Sequence, residues 1–238
     1  MCDRNHNATA RGGISRRGLL AVAGSGLMGV AVPGSQPSRA SAPERPKLGD
    51  LSPKDALDLL YAGNKRFLAG KPEAPHRDLD RLKEVAPAQK PFAAFLGCAD
   101  SRVPIEIVFD QGFGDLFVTR IAGNVTTPEI TGSLEFGTQV LGAKVLYVLG
   151  HTNCGAVAAA VKADEVPGQI SSLFYHIRPA VRAANGDVAA AVKENVRNQI
   201  DVLREASPVI ARLVKQGKLT VAGGVYELAT GNVTPVEI

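Results

Sequence analysis

Two rhythms of apolar and polar positions alternate along most of this chain. Over residues 52–69, Leu57, Leu60, Tyr61 and Phe67 recur at roughly helical spacing. Ser52 and Pro53 supply an N-cap and a proline at the first helical position. Residues 71–90 are polar and punctuated by prolines, which reads as a connection with room for a short helix. Residues 92–97 are a short apolar run ending in glycine, the pattern of a buried strand, and residues 116–121 are a second. Helical spacing returns over 129–141 through Ile130, Leu134, Phe136 and Leu141. Residues 144–150 hold Val145-Leu146-Tyr147-Val148-Leu149, the clearest strand in the chain. Small apolar residues over 154–162 open another helix, and 171–184 and 187–216 read as helices, the latter broken near Pro208. Two closing strands, 219–228 and 232–238, are separated by Ala229-Thr230-Gly231.

Strands separated by helices predict an α/β fold with a mostly parallel central sheet flanked by helices. Functional sites of such sheets gather at the carboxyl ends of strands. The 238 residues suffice for one domain with a sizeable core, and 45% hydrophobic residues exclude a disordered chain. Three cysteines and no tryptophan exclude a disulfide-framed miniprotein.

Charge distribution separates the first forty residues from the rest. They carry Arg4, Arg11, Arg16, Arg17 and Arg39 against Asp3, a net of +4, which equals the net charge of the whole chain. The remaining 198 residues hold 22 basic and 22 acidic side chains, so overall charge gives nucleic-acid binding no support. Ser15-Arg16-Arg17-Gly18-Leu19-Leu20 resembles the twin-arginine export motif. The uncharged stretch 18–32 reaches about 22 Å as a helix, short of the roughly 30 Å of a bilayer core. Small residues around Ala40 and Ala42 then offer cleavage sites, with the cut after Ala40 preferred because the other leaves Pro43 first. The expected organisation is a signal peptide over 1–40, a linker over 41–50 and one domain over 51–238. The expected location is periplasmic or extracellular, with membrane association if the signal is retained. The export machinery is then a partner, and the motif implies export after folding and metal loading.

Two predicted strands run into metal-ligand chemistry. The first leads to Gly97-Cys98-Ala99-Asp100-Ser101-Arg102, the second to Gly150-His151-Thr152-Asn153-Cys154-Gly155. Parallel neighbours lie about 4.8 Å apart, so ligands at adjacent strand ends can close on one ion. Cys98, His151 and Cys154 supply three zinc ligands and leave a fourth position for water or for the Asp100 carboxylate. A closed structural site would want a fourth cysteine or histidine. A Cys98–Cys154 disulfide is the main rival, because an exported protein meets oxidants.

Cys98-x-Asp100-x-Arg102 followed by His151-x-x-Cys154 resembles the zinc-site signature of β-class carbonic anhydrases. The similarity extends through Gly114-Asp115-Leu116-Phe117-Val118-Thr119-Arg120-Ile121-Ala122-Gly123-Asn124 and Ser133-Leu134-Glu135-Phe136. It implies a zinc enzyme for the reversible hydration of carbon dioxide to bicarbonate and a proton, built as a homodimer or higher homo-oligomer. Zinc lowers the pKa of a bound water, and a centre with two thiolates does so less than one with three neutral histidines. Asp100 is then expected to accept a hydrogen bond from zinc-bound hydroxide and orient it for attack, with Arg102 holding the carboxylate. In some members the aspartate swings onto zinc, which makes Asp100 a candidate ligand as well.

Gln89 and Phe117 match positions that line the carbon dioxide pocket in part of the family. Phe136 stands where a tyrosine often occurs, so no hydroxyl is expected there. The tryptophan of bicarbonate-regulated members has no counterpart. His76 and His176 are the other histidines of the domain, and neither is assigned as a proton shuttle. Rival readings are a related hydrolase of carbon disulfide or carbonyl sulfide, a zinc scaffold without catalysis, and a redox protein using the two cysteines.

Overall fold

The computed structural model describes residues 51–163 and 165–238. The signal expected over 1–40 and the linker over 41–50 lie outside the described residues. Helix α1 (Pro53–Leu68) begins with a capping box: the Ser52 side chain accepts from Asp55 N–H, and the Asp55 carboxylate accepts from Ser52 N–H. A short α2 (Leu79–Val85) lies within the polar connection. Strand β1 (Ala93–Gly97) follows, then α3 (Ile105–Val108) and β2 (Leu116–Arg120). Helix α4 (Pro128–Glu135) runs directly into a wide π turn over Phe136–Val140. Strand β3 (Val145–His151) leads into α5 (Gly155–Lys162) and α6 (Ser171–Ala183). Helices α7 (Val188–Ala206) and α8 (Pro208–Lys215) are separated at Ser207, whose hydroxyl caps α8. Strands β4 (Thr220–Tyr226) and β5 (Val233–Pro235) close the chain.

The five strands lie in the order β2-β1-β3-β4-β5. The first four run parallel, and β5 returns antiparallel to β4. This is the mostly parallel α/β sheet expected from the pattern. Alternation along β1 and β3 sends Phe95 and Tyr147 to one face and Leu96, Leu146 and Val148 to the other. On the first face Phe95, Phe109 and Tyr147 pack ring against ring beneath α1 and α3. On the second, Val196, Ile200 and Leu203 of α7 join Ile210 and Leu213 of α8. Contact there is close: a Cβ on Gly150 would lie 2.7 Å from a Val196 methyl. Gly150 therefore lets α7 seat against the strand just ahead of His151.

Three boundaries differ from the expectation. The four-residue α3 is too short to leave a periodic signal. The helix expected over 129–141 leaves α geometry at Phe136, where the wide turn begins. The strand expected over 232–238 contracts to three residues, Val233–Pro235, followed by one further bond from Val236 N–H to the Gly223 carbonyl.

Candidate metal centre

The carboxyl ends of β1 and β3 are adjacent. Cys98 follows the last residue of β1, His151 is the last residue of β3, and Cys154 is the N-cap of α5. Asn153, at φ +54°, turns the chain so that Cys154 comes back toward His151. The two sulfurs are 4.0 Å apart, and all three candidate ligand atoms lie within 4.8 Å of one another. A tetrahedral zinc with bonds of about 2.3 Å to two sulfurs separates them by roughly 3.8 Å. A disulfide needs about 2.05 Å, and both thiols are free.

The histidine is prepared for a metal. His151 Nδ1–H donates to the Thr152 carbonyl at 2.9 Å, which leaves the Nε2 lone pair free. Nε2 is fully buried and has no hydrogen-bond partner among the described residues. Such an orphan costs folding energy unless something binds it, so the donor set fits a zinc ion on geometry and on chemistry. The Cys154 S–H donates to Cys98, which lowers the Cys98 pKa against the opposing effect of burial and raises that of Cys154. The backbone N–H of Gly123, 3.3 Å from the sulfur, also favours the Cys98 thiolate.

Asp100 stands beside this group. Its Oδ2 is 3.8 Å from His151 Nε2, and the carboxylate lies outside the three-atom cluster. Arg102 grips it twice, Nε to Oδ1 at 2.9 Å and Nη2 to Oδ2 at 2.7 Å. The Arg102 N–H also donates to Oδ1 at 2.9 Å. These donors hold the Asp100 carboxyl well below the usual carboxylate range. Arg102 Nη2 reaches on to the Asn153 carbonyl at 3.4 Å, tying the two ligand loops together.

Arg120, which pattern reasoning assigned no role, closes the site from the neighbouring strand. Its Nε donates to the Cys98 carbonyl at 2.9 Å, and Nη2 donates to the Asp100 carbonyl. Its signals in the sequence are a lone cation ending an apolar strand and a place in the stretch that carries the family resemblance.

Gln89 and Phe117 are placed elsewhere. Phe117 is in register with Ala94, four residues and about 13 Å of strand before Cys98. It packs on Phe136, ring centroids 6.3 Å apart. Gln89 is exposed between Val85, which lies beside Gly114, and Phe92, which bonds to Asp115. Both flanks belong to the amino-terminal edge of the sheet.

Comparison with known proteins decides the family. The model of the carbonic anhydrase family matches residues 93–233, which include every ligand candidate. The chain belongs to the β-class carbonic anhydrases. It is 38% identical over 190 residues to carbonic anhydrase 2 of Mycobacterium tuberculosis, covering 76% of this chain and 92% of that one. Carbonic anhydrase of Mycolicibacterium smegmatis is 37% identical over the same shares. Among solved structures, the β-carbonic anhydrase CafA of Aspergillus fumigatus superposes with a TM-score of 0.63 at 26% identity, over 77% of this chain and 91% of that one. By family the protein is a lyase, a carbonic anhydrase, and its site has the donors that this zinc-enzyme family needs.

Proposed function

We propose that this chain hydrates carbon dioxide with a zinc ion held by Cys98, His151 and Cys154, assisted by the Asp100–Arg102 pair. The observation that carries this reading is the orphaned Nε2 of His151, buried beside two free sulfurs and a carboxylate. Zinc in that position supplies a Lewis acid that makes water nucleophilic at neutral pH. The chain's own residues do the rest. The two cysteines act as thiolates and His151 as a neutral donor through Nε2. Asp100 stays ionised because Arg102 holds it with three donors, and its oxygens can still accept a hydrogen bond from a water and orient that water toward carbon dioxide. Held by both guanidinium bonds, Asp100 would serve as an orienting group rather than as a metal ligand.

Gln89 and Phe117 complete the substrate pocket only from a second copy of the chain, since one chain keeps them away from its own cluster. A homo-oligomer built on the half-buried edge strand β2 supplies them. The protein is exported through its twin-arginine-type segment and acts in the periplasm or outside the cell. Stopped-flow hydration of carbon dioxide across pH, with zinc quantified in the same sample, tests the core of this reading. Turnover rising with pH and proportional to zinc is expected. A folded, zinc-loaded protein without turnover at any pH overturns it.

A further inference from the structure

The amide that touches the Cys98 sulfur is itself held from far away in the chain. Gly123 N–H donates to Cys98 Sγ at 3.3 Å. Gly123 adopts φ +75°, and a Cβ there would sit 2.9 Å from Ile177 and 3.2 Å from Ala156, so both conformation and space require glycine. Its carbonyl accepts from Asn195 Nδ2 of α7 at 2.8 Å. One turn further along the helix, Gln199 Nε2 donates to Asn195 Oδ1 at 3.1 Å and to the His176 carbonyl at 3.2 Å. The Gln199 Oε1 accepts from Thr126 N–H at 2.8 Å. Helix α7 therefore grips the 122–126 turn at two points, the Gly123 carbonyl and the Thr126 N–H, which flank the left-handed Asn124.

Asn195 and Gln199 are 0% and 1% exposed, on a helix whose other buried residues are aliphatic or alanine. An amide left unpaired there would be destabilising, and leucine would pack without that liability. What the pair provides is orientation: it fixes Gly123 from the carbonyl side, and with it the direction of the N–H that meets sulfur.

We infer that Asn195 and Gln199 are positioning residues for the metal-binding sulfur of Cys98, holding the Gly123 N–H against it and so setting how tightly the site keeps its metal. This rests on the zinc reading above. Partners that orient a ligand from behind commonly change metal affinity by about 10- to 100-fold when removed.

The test uses the full chain, with zinc affinity measured by chelator competition and the thiolate-to-metal absorption band recorded after cobalt substitution. Asn195→Leu keeps the bulk and removes the donor. Asn195→Asp keeps the shape and the acceptor toward Gln199 but cannot donate to Gly123. Both are expected to weaken zinc binding by about 10- to 100-fold and to shift the cobalt band. Gln199→Met, a milder change on the same relay, should move both readouts in the same direction and stands in if the Asn195 variants do not fold. Ile200→Val, on the same helix, should lower thermal stability while leaving affinity and band unchanged. Parental affinity and an unshifted band in folded Asn195 or Gln199 variants overturn the inference, as does an Ile200→Val protein that reproduces their effect. A parent chain that gives no cobalt–thiolate band overturns the zinc reading itself, and this inference with it.

Discussion

Arg102 and Asp100, two residues apart, face each other fork to fork, with Nε 2.9 Å from Oδ1 and Nη2 2.7 Å from Oδ2. The carboxylate is thereby kept charged and turned beside the three candidate ligands. Asp100→Ala is expected to retain zinc and to lose about 10- to 100-fold in kcat/KM, read by metal analysis and stopped-flow kinetics on one sample. Parental turnover in that variant would remove Asp100 from the mechanism.

The same pair predicts a pH effect. Arg102 depresses the Asp100 pKa, so the carboxylate remains ionised at pH values where a free aspartic acid protonates. In Arg102→Ala that pKa returns toward about 3.9. The acidic limb of the rate profile should then move upward, and Arg102→Lys should fall between because it keeps the charge without the fork. Rate profiles from pH 4 to 7 read the shift, and superimposable acidic limbs would contradict it.

Removing the metal should inactivate the protein without unfolding it, because the ligands cap a sheet that is packed on both faces. The bare sulfurs, 4.0 Å apart with Cys98 favoured as thiolate, then become a target. Oxidised glutathione should accept two electrons from the pair, with one proton from Cys154 and one from water, and leave a Cys98–Cys154 disulfide and two reduced glutathiones. The zinc-loaded protein should resist under the same conditions. Circular dichroism and mass-spectrometric mapping follow the two effects, and equal oxidation with and without zinc would argue against thiolate ligation.

If Gln89 and Phe117 act across a subunit boundary, inactive chains should complement each other. Cys98→Ser and Phe117→Ala proteins, unfolded together and refolded as a mixture, give hybrids with one intact site. Activity above the sum of the separately refolded proteins is the expected result. Strict additivity, with hybrids demonstrated by mass, would place Phe117 outside the pocket.

Far from the metal centre, Asp110 is fully buried and accepts from Arg66 Nε at 2.7 Å and from the amides of Glu73 and Ala74 at 3.0 and 2.9 Å. Burial alone would raise its pKa, but these donors outweigh it and the net shift is downward. A depressed folded-state pKa means stability that is present above the unfolded value of about 3.9 and is lost as pH falls through the folded value. Asp110→Asn should therefore cost about 3 kcal/mol at pH 7, with the gap to the parent narrowing below pH 4. Urea unfolding at both pH values measures it, and a gap independent of pH would show that the charge is not what matters.

Strands and the candidate metal group were legible because they depend on short windows. Two apolar runs end in glycine and are followed at once by Cys98 and His151, and Ser52-Pro53 marks a helix start. What stayed hidden depends on contacts between distant segments. Asn195 reads as one more polar residue of an amphipathic helix, yet its partner Gly123 lies 72 positions away. Arg120 acts on backbone carbonyls, which carry no sequence signature. The placement of Gln89 and Phe117 follows from strand register, which local pattern does not encode.

Strand order also sets a sequence of events. Cys98 and His151 are 53 positions apart and meet only when β1 and β3 lie side by side in the middle of the sheet. No short peptide from this chain contains the whole ligand set, so an ion cannot nucleate the structure in the way it does in a zinc finger. The ligand group is complete only once the central strands have assembled, so a metal would be captured by a finished receptor.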